Sequence, residues 1–207
     1  MIYQDVVVPM LVFGLLSLTV FVFSFELRAG DALLVSPGVL WVATIFAGTL
    51  GIGRSYSHER ERGSMEGLLL CPLDRSAVYV AKLLTGLVYM LVAVGALLPV
   101  FAVFFHVPAL RLPVVAVVLL GVLGFSAVGT VFGAMAVNTR AREVMLPVML
   151  FPVLVPVIIA AVKATGLLMD GESWASVRVW TDLLIGFDIV YLVVGFMVYE
   201  FVIEDWG

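Results

Sequence analysis

The chain has 207 residues, 63% of them hydrophobic and 13% charged, with a formal charge of -4 and a mean hydropathy of +1.20. A soluble globular chain is nearer half apolar and a quarter charged, so a water-soluble fold is excluded. Asp and Glu outnumber Lys and Arg, which excludes a nucleic-acid binder as well. A lone cysteine, Cys71, leaves no intrachain disulfide to consider.

A membrane-crossing helix needs about 20 mostly apolar residues. Six such runs follow one another in a single transmembrane domain over residues 1–207. The first runs from about Val6 to Phe25. Met1 to Asp5 carry no Lys or Arg and no small-residue cleavage site follows, so this run is expected to be a retained span rather than a signal peptide. A polar break with Glu26, Arg28 and Asp31 leads to the second run, about Pro37 to Gly53. A long polar interval, Arg54 to Arg75, precedes the third, about Val78 to Phe105, which is long enough to be tilted. A tight turn at His106 to Arg111 gives the fourth, about Leu112 to Val137. After Asn138 to Glu143 comes the fifth, about Val144 to Val162. Asp170, Glu172, Arg178 and Asp182 separate it from the sixth, about Leu183 to Phe201. The runs are continuously apolar and do not alternate with a period of two, so the fold class is an all-α integral membrane protein and not a barrel.

Lys and Arg in the loops set orientation. Arg54, Arg60, Arg62, Arg75, Lys82, Arg140 and Arg142 fall on one side, and Arg28, Arg111, Lys163 and Arg178 on the other. This imbalance of seven against four favours both termini in the cytoplasm.

The interval after the second span changes character halfway. Arg54 to Arg62 is densely charged, and then Met65, Leu68 and Leu69 fall at i, i+3 and i+4, on one helical face. Gly63 and Ser64 suit a helix entry, with Ser64 as N-cap, and Pro72 should stop the helix near Leu70. The spacing predicts a short amphipathic helix under the membrane surface, with Glu59, Glu61 and Glu66 staying in water or meeting a partner. An amphipathic segment merely floating at the interface has equal weight on these residues alone.

The order Glu61-Arg-Gly-Ser-Met-Glu66, then Leu68-Leu69-Leu70-Cys71-Pro72-Leu73, resembles the motif between spans two and three of ABC-2-type exporter permeases. Pro37-Gly38-Val39-Leu40-Trp41-Val42, Ala81-Lys82, and Leu146-Pro147 with Phe151-Pro152 to Pro156 narrow the resemblance to the haem exporter protein B family, the permease of cytochrome c maturation. It covers about Gly38 to Ala160. The family's usual basic amphipathic stretch ahead of span one has no match in these residues.

The resemblance implies a coupling helix that sits in a groove of a separate cytoplasmic ATP-binding subunit. Glu59, Glu61 and Glu66 would orient the docking, and Met65, Leu68 and Leu69 would supply the buried contact. It further implies a homodimer in the bacterial or archaeal cytoplasmic (inner) membrane, a second haem-handling membrane subunit, and a haem-loaded periplasmic chaperone. No Gly-x-x-x-x-Gly-Lys-Ser/Thr stands anywhere in the chain, so ATP is expected on the partner and not here, and the chain is not expected to be an enzyme. Two rivals stay open: an ABC-2 exporter of lipid, glycan or drug, and a secondary transporter or channel without an ATPase. The latter would want ion-coupling residues in symmetric halves.

Other residues carry weaker signals. Pro147, Pro152 and Pro156 should kink the fifth span. Gly129 and Gly133 form a Gly-x-x-x-Gly pair, read as packing within one subunit ahead of a dimer contact. Asp188 is the ionisable residue most clearly inside a span, placed about 8 Å into the sixth run on helical rise, where it would pair with Lys163 or Arg178 or face a wet cavity. His58-Glu59 lacks the second histidine of a zinc-protease pattern, since Arg62 stands there, so no metal site is expected. His106 is read as an interfacial anchor rather than a haem ligand. Haem is expected to be handled by the complex and bound by no residue of this chain alone.

Overall fold

The computed structural model describes residues 2–25, 29–61, 75–137, 139 and 142–204. The described residues hold six helices and the turns at their ends: α1 Ile2–Phe25, α2 Ala29–Glu61, α3 Arg75–Phe105, α4 Leu112–Val137, α5 Arg142–Met169 and α6 Trp174–Glu204. All six are long and apolar enough to cross a membrane. Backbone groups in hydrocarbon must be satisfied within the segment, which is why runs this apolar close into helices.

α4 is the hub. It packs against α2, α3, α5 and α6, and its small residues are buried on several sides. Among the described residues α1 lies at the margin, against α2 and α3. Trp41 ties three helices together. Its indole lies against Gly121 of α4, where a Cβ would meet Cζ3 at 2.7 Å, and its Nε1 donates to Thr165 Oγ1 of α5 at 3.1 Å. The bulk of one side chain thus fits the absence of another.

Several helices outrun their apolar stretches. α2 continues past Arg54 to Glu61, so the charged half of the interval is helical. α5 continues to Met169, and α6 starts at Trp174, well before Leu183. The turn between α5 and α6 is made by a glycine. Gly171 has φ 91°, its N–H bonds the carbonyl of Leu168 at 3.3 Å, and the N–H of Glu172 bonds that of Leu167 at 3.0 Å. That pair of bonds is a left-handed helix stop. Ser173 then stands just ahead of the first residue of α6, the N-cap place, and Arg178 and Asp182 pair along its exposed first turns at 3.6 Å. At the end of α3, His106 takes the same left-handed role with φ 53°, and Val107 N–H reaches back to Ala102 at 3.3 Å.

α5 is unbroken through Pro147, Pro152 and Pro156. Pro152 and Pro156 are exposed on its outer face, and Pro147 is half-buried.

Candidate functional site

One end of the bundle gathers the end of α2, the start of α3 and the ends of α4 and α6. Residues 62–74, read from the sequence as an amphipathic segment, follow α2 and precede α3 in the chain. Gly63, Ser64, Met65, Glu66, Leu68, Leu69 and Pro72 lie outside the described residues. What the structure gives is the base from which that segment springs.

The base is a polar knot. Tyr56 of α2 donates its hydroxyl hydrogen to the backbone carbonyl of Thr130 on α4 at 2.8 Å. With that proton committed, Tyr56 accepts from the hydroxyl of Tyr199 on α6 at 3.2 Å. Tyr56 is 5% exposed and Tyr199 fully buried, so both bonds are sheltered from water. The ring of Tyr79 on α3 lies 5.3 Å from that of Tyr199, its hydroxyl against Gly195. Lys82 of α3 pairs with Glu59 of α2, and its Nζ stands 5.4 Å from the centre of the Tyr56 ring, a cation–π distance. Arg60 of α2 donates to the carbonyl of Val137, the last residue of α4, where an unsatisfied helix carbonyl favours a cation.

Both flanks of the segment are therefore anchored: Tyr56, Glu59 and Arg60 on the way in, Tyr79 and Lys82 on the way out.

The structure changes the reading of some candidate residues. Glu59, read as staying in water or meeting a partner, has its carboxylate engaged by Lys82 within the chain. Glu61 is exposed at the last turn of α2 and engaged in contacts of its own. Gly129 and Gly133 face α2: a Cβ on Gly133 would meet Ile52 Cγ2 at 2.8 Å and Tyr56 Cε2 at 2.7 Å, and one on Gly129 would collide with Ile52 Cδ1. The pair brings α4 close to α2 within one chain.

Because α6 begins at Trp174, Asp188 lies about 21 Å along the helix at roughly 1.5 Å per residue, near its middle. It is 4% exposed, it presses on Gly124 of α4, and neither carboxylate oxygen has a hydrogen-bond partner among the described residues. Arg178 is engaged with Asp182, and Lys163 is not among the partners of Asp188. His58 belongs to the last turn of α2, whereas His106 caps α3 at the opposite end of the bundle, so the two cannot ligate one iron together.

Sequence reasoning missed the tyrosines altogether. Tyr56, Tyr79 and Tyr199 are far apart in the chain and follow no periodicity. The available signal was that each falls near the same end of its span, where a hydroxyl either reaches water or needs a partner.

The architecture defines a polytopic helical membrane protein with its polar machinery gathered at one end. The family model described as "CcmB protein" matches residues 2–203, and the chain belongs to that family. It is 29% identical over 70% of its length to "Heme exporter protein B" of Pseudomonas aeruginosa, with 66% of that protein aligned. For the proteins of the same name from Paracoccus denitrificans and Rhodobacter capsulatus, identity is 30%, over 74% and 73% of this chain and 71% and 69% of theirs. The alignments thus span about two thirds of these relatives' own length.

Proposed function

We propose that the chain is the permease subunit of an ABC-2-type complex serving haem export for cytochrome c maturation in the bacterial or archaeal cytoplasmic membrane. A separate cytoplasmic subunit hydrolyses ATP, and residues 62–74 dock onto it. The family and the names of its relatives support the haem assignment. The observation that carries the coupling is the knot: a segment meant to transmit force needs a stiff root on both sides, and Glu59–Lys82, Arg60–Val137 and the Tyr56–Tyr199 pair supply one.

Within this reading the work divides between residues. Glu61 and Glu66 orient the partner, Met65, Leu68 and Leu69 fill its groove, and Glu59 braces the root. Force entering at the segment passes through Tyr56 to α4 and through Tyr199 to α6. This favours mechanical release of a haem-loaded chaperone, presented by a second membrane subunit, over carriage of haem through this chain. Two copies in the membrane, with both termini cytoplasmic, would give each ATP-binding subunit its own lever.

Leu69→Asp is the test. A carboxylate in a leucine-filled groove costs several kcal/mol unless it is paired. The variant is expected to insert and fold normally but to lose the ATPase subunit on purification from native membranes. An intact complex with that variant overturns the proposal.

A further inference from the structure

The end of the bundle that carries the knot also holds a cavity of ≈ 590 Å³, bounded by α1, α2, α4 and α5. That is within the size range of small-molecule sites. Among the described residues α1 and α5 both lie against α2 but not against each other, so the cavity opens sideways between them. The end away from its charged residues is aromatic: Phe46 stands between Phe13 of α1 at 6.2 Å and Phe151 of α5 at 5.4 Å.

The wall of α2 has a polarity gradient. Phe46, Leu50, Arg54, His58 and Glu61 follow at helical spacing on one face, apolar at depth and charged at the mouth, and Asp5 of α1 faces them there. We infer that this groove holds one phospholipid of the surrounding leaflet whose headgroup carries a primary amine, with its acyl chain on Phe46 and Leu50, its phosphate at Arg54 and its ammonium at Asp5.

Two features select that occupant. The gradient matches an amphiphile lying along a helix at the edge of the membrane, tail inward and head outward. Among the described residues the mouth carries one arginine, Arg54, with Asp5 and with Glu61, the latter engaged in contacts of its own. A lipid that brings only a phosphate satisfies Arg54 and leaves an anion beside Asp5. A zwitterionic aminophospholipid meets both signs. This inference stands apart from coupling to an ATPase, since it needs only the cavity, its side opening and its charges.

Native mass spectrometry of the purified full chain tests it. The protein is delipidated and offered an equal mixture of phosphatidylethanolamine and phosphatidylglycerol with matched acyl chains. One phosphatidylethanolamine should be retained per chain, with a preference of about tenfold. Gly53→Leu should abolish retention by filling the groove, because a Cβ there meets only Leu146 Cδ2 at 3.5 Å and the fold has room for it. Arg54→Gln with Asp5→Asn should keep the helical content and erase the preference. Equal retention of the two lipids overturns the inference, as does retention untouched by Gly53→Leu. So does efficient cross-linking of a Leu50→Cys variant to Cys71 or to a second copy, which would show protein in the groove. The readout is bound lipid, so failure here leaves the coupling proposal standing, and failure of Leu69→Asp leaves this one.

Discussion

Replacing Tyr56 by Phe removes one hydroxyl that serves two helices, and its cost can be worked out from the geometry. The hydrogen bond donated to the Thr130 carbonyl is lost, at about 1 kcal/mol net for such a bond. Tyr199, fully buried, then loses the acceptor for its own hydroxyl, which adds about 1–2 kcal/mol for an orphaned polar group. Tyr56→Phe should therefore destabilise by about 2–3 kcal/mol. Tyr199→Phe should cost only about 1 kcal/mol, because Tyr56 keeps its bond to Thr130. In the double variant nothing is left orphaned, so the loss should fall short of the sum by about 1 kcal/mol, in the range measured for hydrogen bonds between membrane helices. Reversible unfolding in mixed micelles, followed by circular dichroism, gives the three values. If residues 62–74 dock onto an ATP-hydrolysing subunit as proposed, the complex with Tyr56→Phe should retain ATP hydrolysis while the yield of c-type cytochrome falls, since docking is untouched and only its root is loosened. Strict additivity of the two single variants, or a neutral Tyr56→Phe, would refute the knot as described.

The glycine pair on α4 makes a second test. Gly133→Leu should lower stability by about 1–3 kcal/mol through collision with Ile52 and Tyr56, measured by thermal unfolding, and should act on the monomer; loss of dimer with unchanged monomer stability would contradict the packing. Asp188→Val removes two buried oxygens that have no hydrogen-bond partner among the described residues, so stability should rise by about 1–3 kcal/mol in the same assay. A lowered unfolding temperature would mean that the carboxyl has a partner in the folded protein. If Asp188 serves transport, the stabilised variant will fail to mature cytochromes.

Much of the fold was legible because the bilayer imposes it. Uninterrupted apolar runs such as Leu112 to Val137 admit one solution, and their number and order follow directly. The edges were harder, since hydropathy registers where a run meets charge and not where hydrogen bonding stops. Arg178 and Asp182 read as loop residues, yet they pair along an exposed helical turn, and the real stop lies at Gly171, where only the backbone angle marks it. Trp41 carried the family resemblance in the sequence, and its physical basis became visible only against Gly121 and Thr165. The knot was hidden for a different reason. In the sequence Lys82 serves in the orientation count and the Ala81-Lys82 match, and nothing local joins it to Glu59 or Tyr199 to Tyr56. Such pairs form only once α2, α3 and α6 are packed around α4.

The single native cysteine offers the most direct test of the central claim, because Cys71 lies in the proposed lever and no substitution is needed to probe it. A short thiol-directed photo-crosslinker attached to Cys71 in native membranes should join this chain to a nucleotide-binding subunit. Labelling should require a reagent that reaches the cytoplasm. Labelling from the periplasmic side, or adducts with lipid alone in the assembled complex, would contradict the account.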